Sequence, residues 1–186
     1  MKLSSHITYT PVAKILHWLV VVILVGQYVV AWTMPHMGRN TTPDTLIKLH
    51  FSLGMTVLFV LAIRLGWRWT HPEPTPIDGL SPWQVFTARA VHYLLYMLLF
   101  VIPILGWANA SFRGFDVTLF GLVTIPKLLA TRSSGFAWTG DVHVLLSYYV
   151  LLPVVALHVL TALYHQFIRK DGVMTRMLPA SWSDVI

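Results

Sequence analysis

The sequence predicts an all-α integral membrane protein, a four-helix bundle that forms a single domain over residues 1–186. Its composition is the first reason: 56% of the residues are hydrophobic, only 11% are charged, and the mean hydropathy is +0.67. The second reason is four apolar runs of about twenty residues, the length at which an α-helix crosses a bilayer. We expect the spans at about 11–33, 43–69, 84–110 and 141–168.

Four spans place both termini on one side of the membrane. Because cytoplasmic loops are enriched in Lys and Arg, the distribution of these residues predicts which side that is. Eight lie on the side of the termini, namely Lys2, Lys14, Arg64, Arg68, Arg89, Arg169, Lys170 and Arg176, and five lie opposite, namely Arg39, Lys48, Arg113, Lys127 and Arg132. The termini are therefore predicted to be cytoplasmic.

Several functional classes are excluded by composition. The net charge of +6 is spread over the loops at both faces without a dense basic tract, which indicates contact with lipid headgroups and no nucleic-acid partner. The first apolar run is too long for a secretory signal peptide and has no cleavage site, so it is a retained span. The chain has no cysteine, which excludes disulfides, thiolate-ligated clusters and covalently attached haem.

The helix boundaries and connections follow from local signals. Thr10 with Pro11, and Thr42 with Pro43, are the cap and first-turn pairs that predict the starts of the first two spans. Four prolines within 71–82 predict an extended connector. The longest connection, 111–140, contains an apolar stretch that we expect to lie on the membrane surface, with covering the outer site as the alternative.

The fourth span carries two histidines, His143 and His158, in an otherwise apolar helix. Fifteen residues place them about 22 Å apart along the axis and within about 60° of the same face. Ionisable residues inside membrane spans usually serve a function, although structural histidines occur, and neutral imidazole is a common metal ligand. One helix thus offers a histidine at each side of the bilayer.

The first two spans each supply one more histidine, and depth matches them to the fourth span. His17 lies about 9 Å into the first span from the cytoplasmic side, and His50 lies about 10 Å into the second span from the outer side. His17 therefore pairs with His158, and His50 pairs with His143. Two pairs at matched depths predict two non-covalent, bis-histidine haems with irons on the order of 20 Å apart. Gly54, one turn after His50, serves either close helix packing or the approach of a planar group.

Two further histidines keep the inner site open to alternatives. His92 lies one turn after Arg89 near the cytoplasmic side, where it is either a fifth candidate ligand or a contact for a haem propionate or a quinone. His165 lies seven residues after His158 on the same face, at the level of the lipid headgroups. We expect an interfacial or propionate-binding role for it, with replacement of His158 as the alternative ligand.

Three sequence motifs resemble those of the bacterial cytochrome b-561 family. They are Ile15-Leu16-His17-Trp18-Leu19, Lys48-Leu49-His50 followed by Gly54, and Lys170-Asp171-Gly172 leading to Arg176-Met177-Leu178-Pro179. The resemblance covers about residues 9–180. It implies a di-haem b protein of the inner membrane, with His17, His50, His143 and His158 as the axial ligands and the fourth helix giving one ligand to each haem.

This chain departs from the family pattern in one respect, because the two histidines of the fourth helix are usually one residue closer than His143 and His158. Pro153 lies between them and cannot donate a backbone hydrogen bond to Tyr149. A π-bulge there would absorb the extra residue and restore the directions of the two side chains. We therefore predict a π-bulge close to Pro153.

Bis-histidine haem leaves no open iron position, which favours outer-sphere electron transfer. The resemblance implies two uses: a free-standing oxidoreductase that oxidises superoxide at the outer face and reduces ubiquinone, or the cytochrome b subunit that receives electrons from a hydrogenase- or formate dehydrogenase-like partner. The short chain favours the first. A histidine-lined metal or proton transporter is a weaker alternative, because the first three apolar runs contain no Asp or Glu.

Overall fold

A computed structural model describes residues 8–37, 41–77, 79–131 and 135–178, and it contains the four predicted helices. Three are α-helices: α1 over Pro11–Thr33, α2 over Thr45–Thr70 and α3 over Pro82–Phe112, which continues through Pro103. The fourth helix covers Trp138–Arg169, and each of the four is long and apolar enough to cross a membrane. The ends of these helices lie within three residues of the predicted span ends.

The helix starts are set by side-chain caps. Thr10 accepts a hydrogen bond from the backbone of Ala13 and is followed by Pro11, as predicted. The prediction for the second helix was wrong, because Asp44, and not Thr42, is its N-cap and accepts from the backbone of Ile47 at 2.8 Å. A carboxylate is the better acceptor beside the positive end of the helix dipole.

The helices pack in sequence order around a thin apolar core. Side chains from all four helices meet in the middle of the bundle, namely Leu16, Val20, Ile23, Val57, Val60, Leu61, Leu98, Leu99, Ile102 and Leu151. The opposite faces carry large exposed hydrophobic side chains such as Val22, Phe59 and Leu160. A lipid-facing surface explains this pattern, because hydrocarbon tails solvate such side chains as well as a protein core does.

The fourth helix is interrupted by two π-helical segments. An α-helical part, Trp138–Leu145, is followed by a π-helix over Leu146–Leu151 that ends two residues before Pro153. A second α-helical part, Leu152–Tyr164, leads to a π-helix over His165–Arg169. The backbone N–H of Leu152 donates to Ser147, five residues earlier, and the proline has no N–H to donate. The predicted π-bulge is confirmed.

A short β-hairpin that the sequence pattern does not predict lies between α3 and the fourth helix. Its strands are β1, Val117–Leu119, and β2, Val123–Ile125, paired antiparallel. The buried hydroxyl of Ser52 on α2 donates to the carbonyl of Thr118 and accepts from the backbone of Phe120. The hairpin is thereby held against α2, while Phe120 and Leu122 at its tip are exposed. This places the apolar loop segment at the outer end of the bundle.

The inner end, defined as the end that carries the start of α1 and the end of the fourth helix, is closed by the C-terminal segment. Lys14 donates to the carbonyl of Leu178 at 2.8 Å, and the indole of Trp18 donates to that of Met177 at 3.0 Å. Leu178 is buried. These contacts fix the turn of α1 that carries His17.

Asp171 anchors the same segment to the end of the fourth helix. Burial on its own would raise the pKa of the Asp171 carboxyl, but hydrogen bonds from His165 and the backbone of Val173, with the nearby Arg169 charge, hold that pKa below its ordinary value. Because the pKa of Asp171 is lower in the folded state, its ionised carboxylate stabilises the fold at pH values above the pKa of the unfolded state. This contribution to the free energy of unfolding is lost as the pH falls through the pKa of the folded state.

Candidate haem sites

Two histidine pairs lie at two levels of the bundle. The imidazole centroids of His50 on α2 and His143 on the fourth helix are 6.0 Å apart, with the ring planes at 80°. Those of His17 on α1 and His158 on the fourth helix are 6.3 Å apart, with the planes at 71°. The structure thus brings together the histidines that the depth argument paired.

Each pair bridges a separation between helices. Neighbours in sequence pack closely, α1 on α2, α2 on α3 and α3 on the fourth helix. Among the described residues, which include all four helices, no Cα atom of α1 or α2 lies within 8 Å of a Cα atom of the fourth helix. The histidine side chains therefore extend into the wider spaces that separate the fourth helix from α1 and from α2.

The outer pair is oriented by α3. Nδ1 of His143 lies 2.8 Å from the carbonyl of Ile102, and since a carbonyl only accepts, Nδ1 carries the hydrogen. Gly106 makes room for the ring, because a Cβ at that position would be 3.0 Å from Cε1 of His143. Nε2 of His143 therefore keeps its lone pair, and the ring is held in one orientation.

His50 presents the same tautomer by a different contact. Nε2 of Gln27, on α1, lies 3.3 Å from Nε2 of His50, and since an amide nitrogen only donates, the histidine nitrogen accepts. Nδ1 of His50 therefore carries the hydrogen. Both outer histidines thus offer an unprotonated Nε2, the form in which imidazole binds a metal.

An outer cavity of about 530 Å³ surrounds this pair. The volume lies within the range of about 300–1,000 Å³ that is usual for ligand sites. Its lining includes Gly54 and the polar residues His36, Asn109, Arg113 and Asp141. Gly54 is thus at the site, as its spacing from His50 suggested, with the Gln27 side chain as its nearest neighbour.

Three histidine rings meet at the inner level. His158 lies between His17 and His92, and the His92 centroid is 5.4 Å from it, with the planes at 68°. Arg64 lies at the same end and donates to the hydroxyl of Tyr96 and to the carbonyl of Ala13. The exposed Arg89 is on the same helix as His92.

His165 lies one step further toward the inner surface and is engaged elsewhere. Its Nδ1 lies 2.6 Å from a carboxylate oxygen of Asp171, and its ring contacts that of Tyr164. The residue therefore joins the end of the fourth helix to the C-terminal segment.

The chemistry of these residues fits haem. An imidazole nitrogen binds a first-row metal at about 2 Å, which places the centroids of two imidazoles on opposite sides of one ion about 6 Å apart. Both pairs have this separation. Within the described residues, no group of three or more His, Cys, Asp or Glu side chains is arranged to hold a metal ion. A pair of imidazoles suits an iron whose other four ligands come from a porphyrin.

Comparison with known proteins identifies the family. The sequence model of prokaryotic cytochrome b561 matches residues 8–180. The chain belongs to the prokaryotic cytochrome b561 family. Members of this family are membrane electron-transfer proteins that bind haem b, and the four apolar helices of this chain agree with that. The resemblance in the sequence motifs is confirmed.

Three curated relatives match almost their whole length. Cytochrome b561 homolog 2 of Escherichia coli K12 is 33% identical, over 95% of this chain and 94% of the relative. The probable superoxide oxidase CybB of Yersinia pestis is 29% identical, over 94% and 97%. Cytochrome b562 of Cereibacter sphaeroides is 27% identical, over 91% and 94%. This protein of the cytochrome b561 family is therefore similar to its relatives over the full four-helix unit.

Proposed function

We propose that this cytochrome b561-family protein binds two haem b groups, one between His17 and His158 and one between His50 and His143. The observation that supports it most is the pair of crossing imidazoles at each of two levels, with centroids 6.3 and 6.0 Å apart. His92 and His165 are left as neighbours of the inner haem. The centroid of the His92 ring is 5.4 Å from that of His158, closer than the rings of the two proposed pairs, and His165 is bound to Asp171.

Haem held by two imidazoles supplies one-electron transfer without an open coordination position. The residues of this chain orient the imidazoles, exclude water from the middle of the bundle through the apolar core, and leave the outer level accessible through the cavity at His50 and His143. The arrangement suits the passage of electrons from the outer end to the inner end.

For the activity, we propose that superoxide is oxidised at the outer end and that ubiquinone is reduced. Two superoxide anions give two electrons and leave as two O₂, and ubiquinone takes up the two electrons with two protons to form ubiquinol. The name of the Yersinia pestis relative and the basic residues of the outer loops support this substrate. In this proposal the outer end faces the periplasm, and the termini are cytoplasmic at the inner membrane.

Haem content tests the ligand proposal. We expect two haem b groups per chain in the fully loaded protein, because each histidine pair is complete without a second chain. A pyridine haemochrome assay on protein quantified by amino-acid analysis gives the number. A value near one haem per chain would remove one of the two sites, and protein without a Soret band would favour a transporter.

The π-helix before Pro153 offers a second test of the ligand pairs. Deleting the exposed Tyr149 together with Pro153→Ala should yield a continuous α-helix that keeps His143 and His158 on their present faces, so both haems should be retained. Inserting one alanine before Leu152 should instead turn His158 by about 100° and reduce the haem content to one per chain. Equal haem content in the two variants would contradict the assignment of His158.

A further inference from the structure

Gln27 is a half-buried polar residue in the membrane-spanning part of α1, and its contacts are incomplete. Its Nε2 donates to Nε2 of His50 at 3.3 Å. Its Oε1 and Nδ1 of His50 are both buried and, within the described residues, have no hydrogen-bond partner. Buried polar atoms in protein interiors are almost always paired, and an unpaired one in a membrane is costly because no water is present to take the place of the missing partner. Two unpaired atoms on adjacent side chains therefore call for an explanation.

The two unpaired atoms are complementary. Nδ1 of His50 carries a hydrogen, because Nε2 of the same ring accepts from Gln27, and Oε1 of an amide can only accept. A donor without an acceptor thus lies next to an acceptor without a donor. In the present arrangement the amide contacts the other nitrogen of the ring, which is the nitrogen that would bind iron.

Haem binding would change this arrangement in one direction. Once Nε2 of His50 binds iron, it can no longer accept from the amide, so Gln27 loses its partner. The nearest unsatisfied group is Nδ1–H of the same imidazole. Gly54 leaves space beside the amide. The position that a Cβ of residue 54 would occupy is 3.6 Å from Nε2 of Gln27, so its absence gives the amide room to turn.

We propose that Gln27 is a positioning residue of the outer haem, whose Oε1 accepts the hydrogen bond from Nδ1 of the axial ligand His50. This rests on the proposed outer haem site. Nδ1 of His143 already has an acceptor, the carbonyl of Ile102. With Gln27 in this role, Nδ1 of His50 also has one. A hydrogen bond to Nδ1–H makes an imidazole a more basic ligand, which stabilises ferric iron and lowers the reduction potential.

The test is a redox titration of the outer haem, identified as the haem that is missing from the His143→Ala protein. Gln27→Leu has a similar volume but no acceptor, so its outer haem should have a higher midpoint potential than the wild type and should bind about 10- to 100-fold more weakly. Gln27→Glu retains an acceptor, so its outer potential should lie at or below the wild-type value. The inner haem serves as an internal control and should not change in either variant.

Thr33→Val is the matched control, because Thr33 lies on the same helix outside the cavity lining, and its hydroxyl donates to the carbonyl of Val29 and not to an imidazole. Its outer potential should equal that of the wild type. An outer potential that is unchanged or lower in Gln27→Leu, or that rises equally in Thr33→Val, would overturn the role of Gln27. If the Gln27→Leu protein does not bind the outer haem, the Gln27→Glu protein provides the test. An outer-haem midpoint potential above the wild-type value in Gln27→Glu would contradict the proposal. Wild-type protein without an outer haem would instead refute the proposed function itself.

Discussion

His50→Ala and His143→Ala are each expected to remove the outer haem and to leave the same optical spectrum, that of the inner haem alone. His17→Ala and His158→Ala should likewise match each other and retain only the outer haem. The physical reason is that each pair of imidazoles, 6.0 or 6.3 Å apart between centroids, acts as one unit across two helices. Haem content should fall from two to one per chain in all four proteins, measured by pyridine haemochrome assay and difference spectra.

The neighbouring histidines provide the controls for this experiment. His92→Ala and His165→Ala remove an imidazole at the same end of the bundle, so they change its packing without removing a proposed ligand. Both should retain two haems, with a change limited to the inner haem. If His165→Ala matched His17→Ala while His158→Ala kept both haems, the inner ligand would be His165, and the π-helix would have another explanation.

The fold could be predicted from the sequence because a membrane allows few architectures. Each apolar run must form a helix that satisfies its own backbone, so the run lengths fix the spans to within a few residues. The depth of each histidine then follows from helical rise alone, which is why the helical rise already placed His17 and His158, whose rings lie 6.3 Å apart, at one level. The π-helix followed from Pro153, whose missing N–H is a property of that residue and not of its surroundings.

The features that the sequence did not predict depend on how helices face one another. Gly106 and Ile102 hold the His143 ring from a different helix, and Gln27 reaches His50 from α1. Rotation of each helix about its own axis sets these contacts, and an almost uniformly apolar helix gives little periodic signal for that rotation. The hairpin was missed because its strands have three residues each and are held by Ser52 from a distant part of the chain.

The described basic residues of the outer loops differ in their surroundings. Arg113 lines the outer cavity, and Lys48 is exposed in the first turn of α2, two residues before His50. Lys127 forms an ion pair with Asp116 at 3.3 Å, so its charge is partly balanced. Arg39 and Arg132 lie outside the described residues. Lys48 is therefore the described residue whose charge is best placed to attract an anion without being part of the cavity wall.

Haem reduction by superoxide should be fast at low ionic strength and should slow by about ten-fold as salt rises, because steered encounters gain roughly 10- to 1,000-fold in rate from charge. Stopped-flow mixing of the oxidised protein with superoxide measures this rate. The Debye length falls from about 10 Å at 0.1 M to about 3 Å at 1 M salt, which screens the outer basic residues from an approaching anion. Lys48→Gln and Arg132→Gln should each slow the reaction at low salt and weaken its dependence on salt.

Arg89→Gln is the matched control, since it removes one exposed positive charge at the inner end and should leave the rate unchanged. An equal slowing in Arg89→Gln and Lys48→Gln would assign the effect to net charge and not to the outer end. Haem reduction no faster than spontaneous dismutation, at any salt concentration, would reject superoxide as the electron donor. The protein would then be a cytochrome b subunit that receives electrons from a hydrogenase- or formate dehydrogenase-like partner. Outer-sphere transfer between the two histidine pairs requires an electron donor at one end of the bundle, and a protein partner meets that requirement as well as superoxide does.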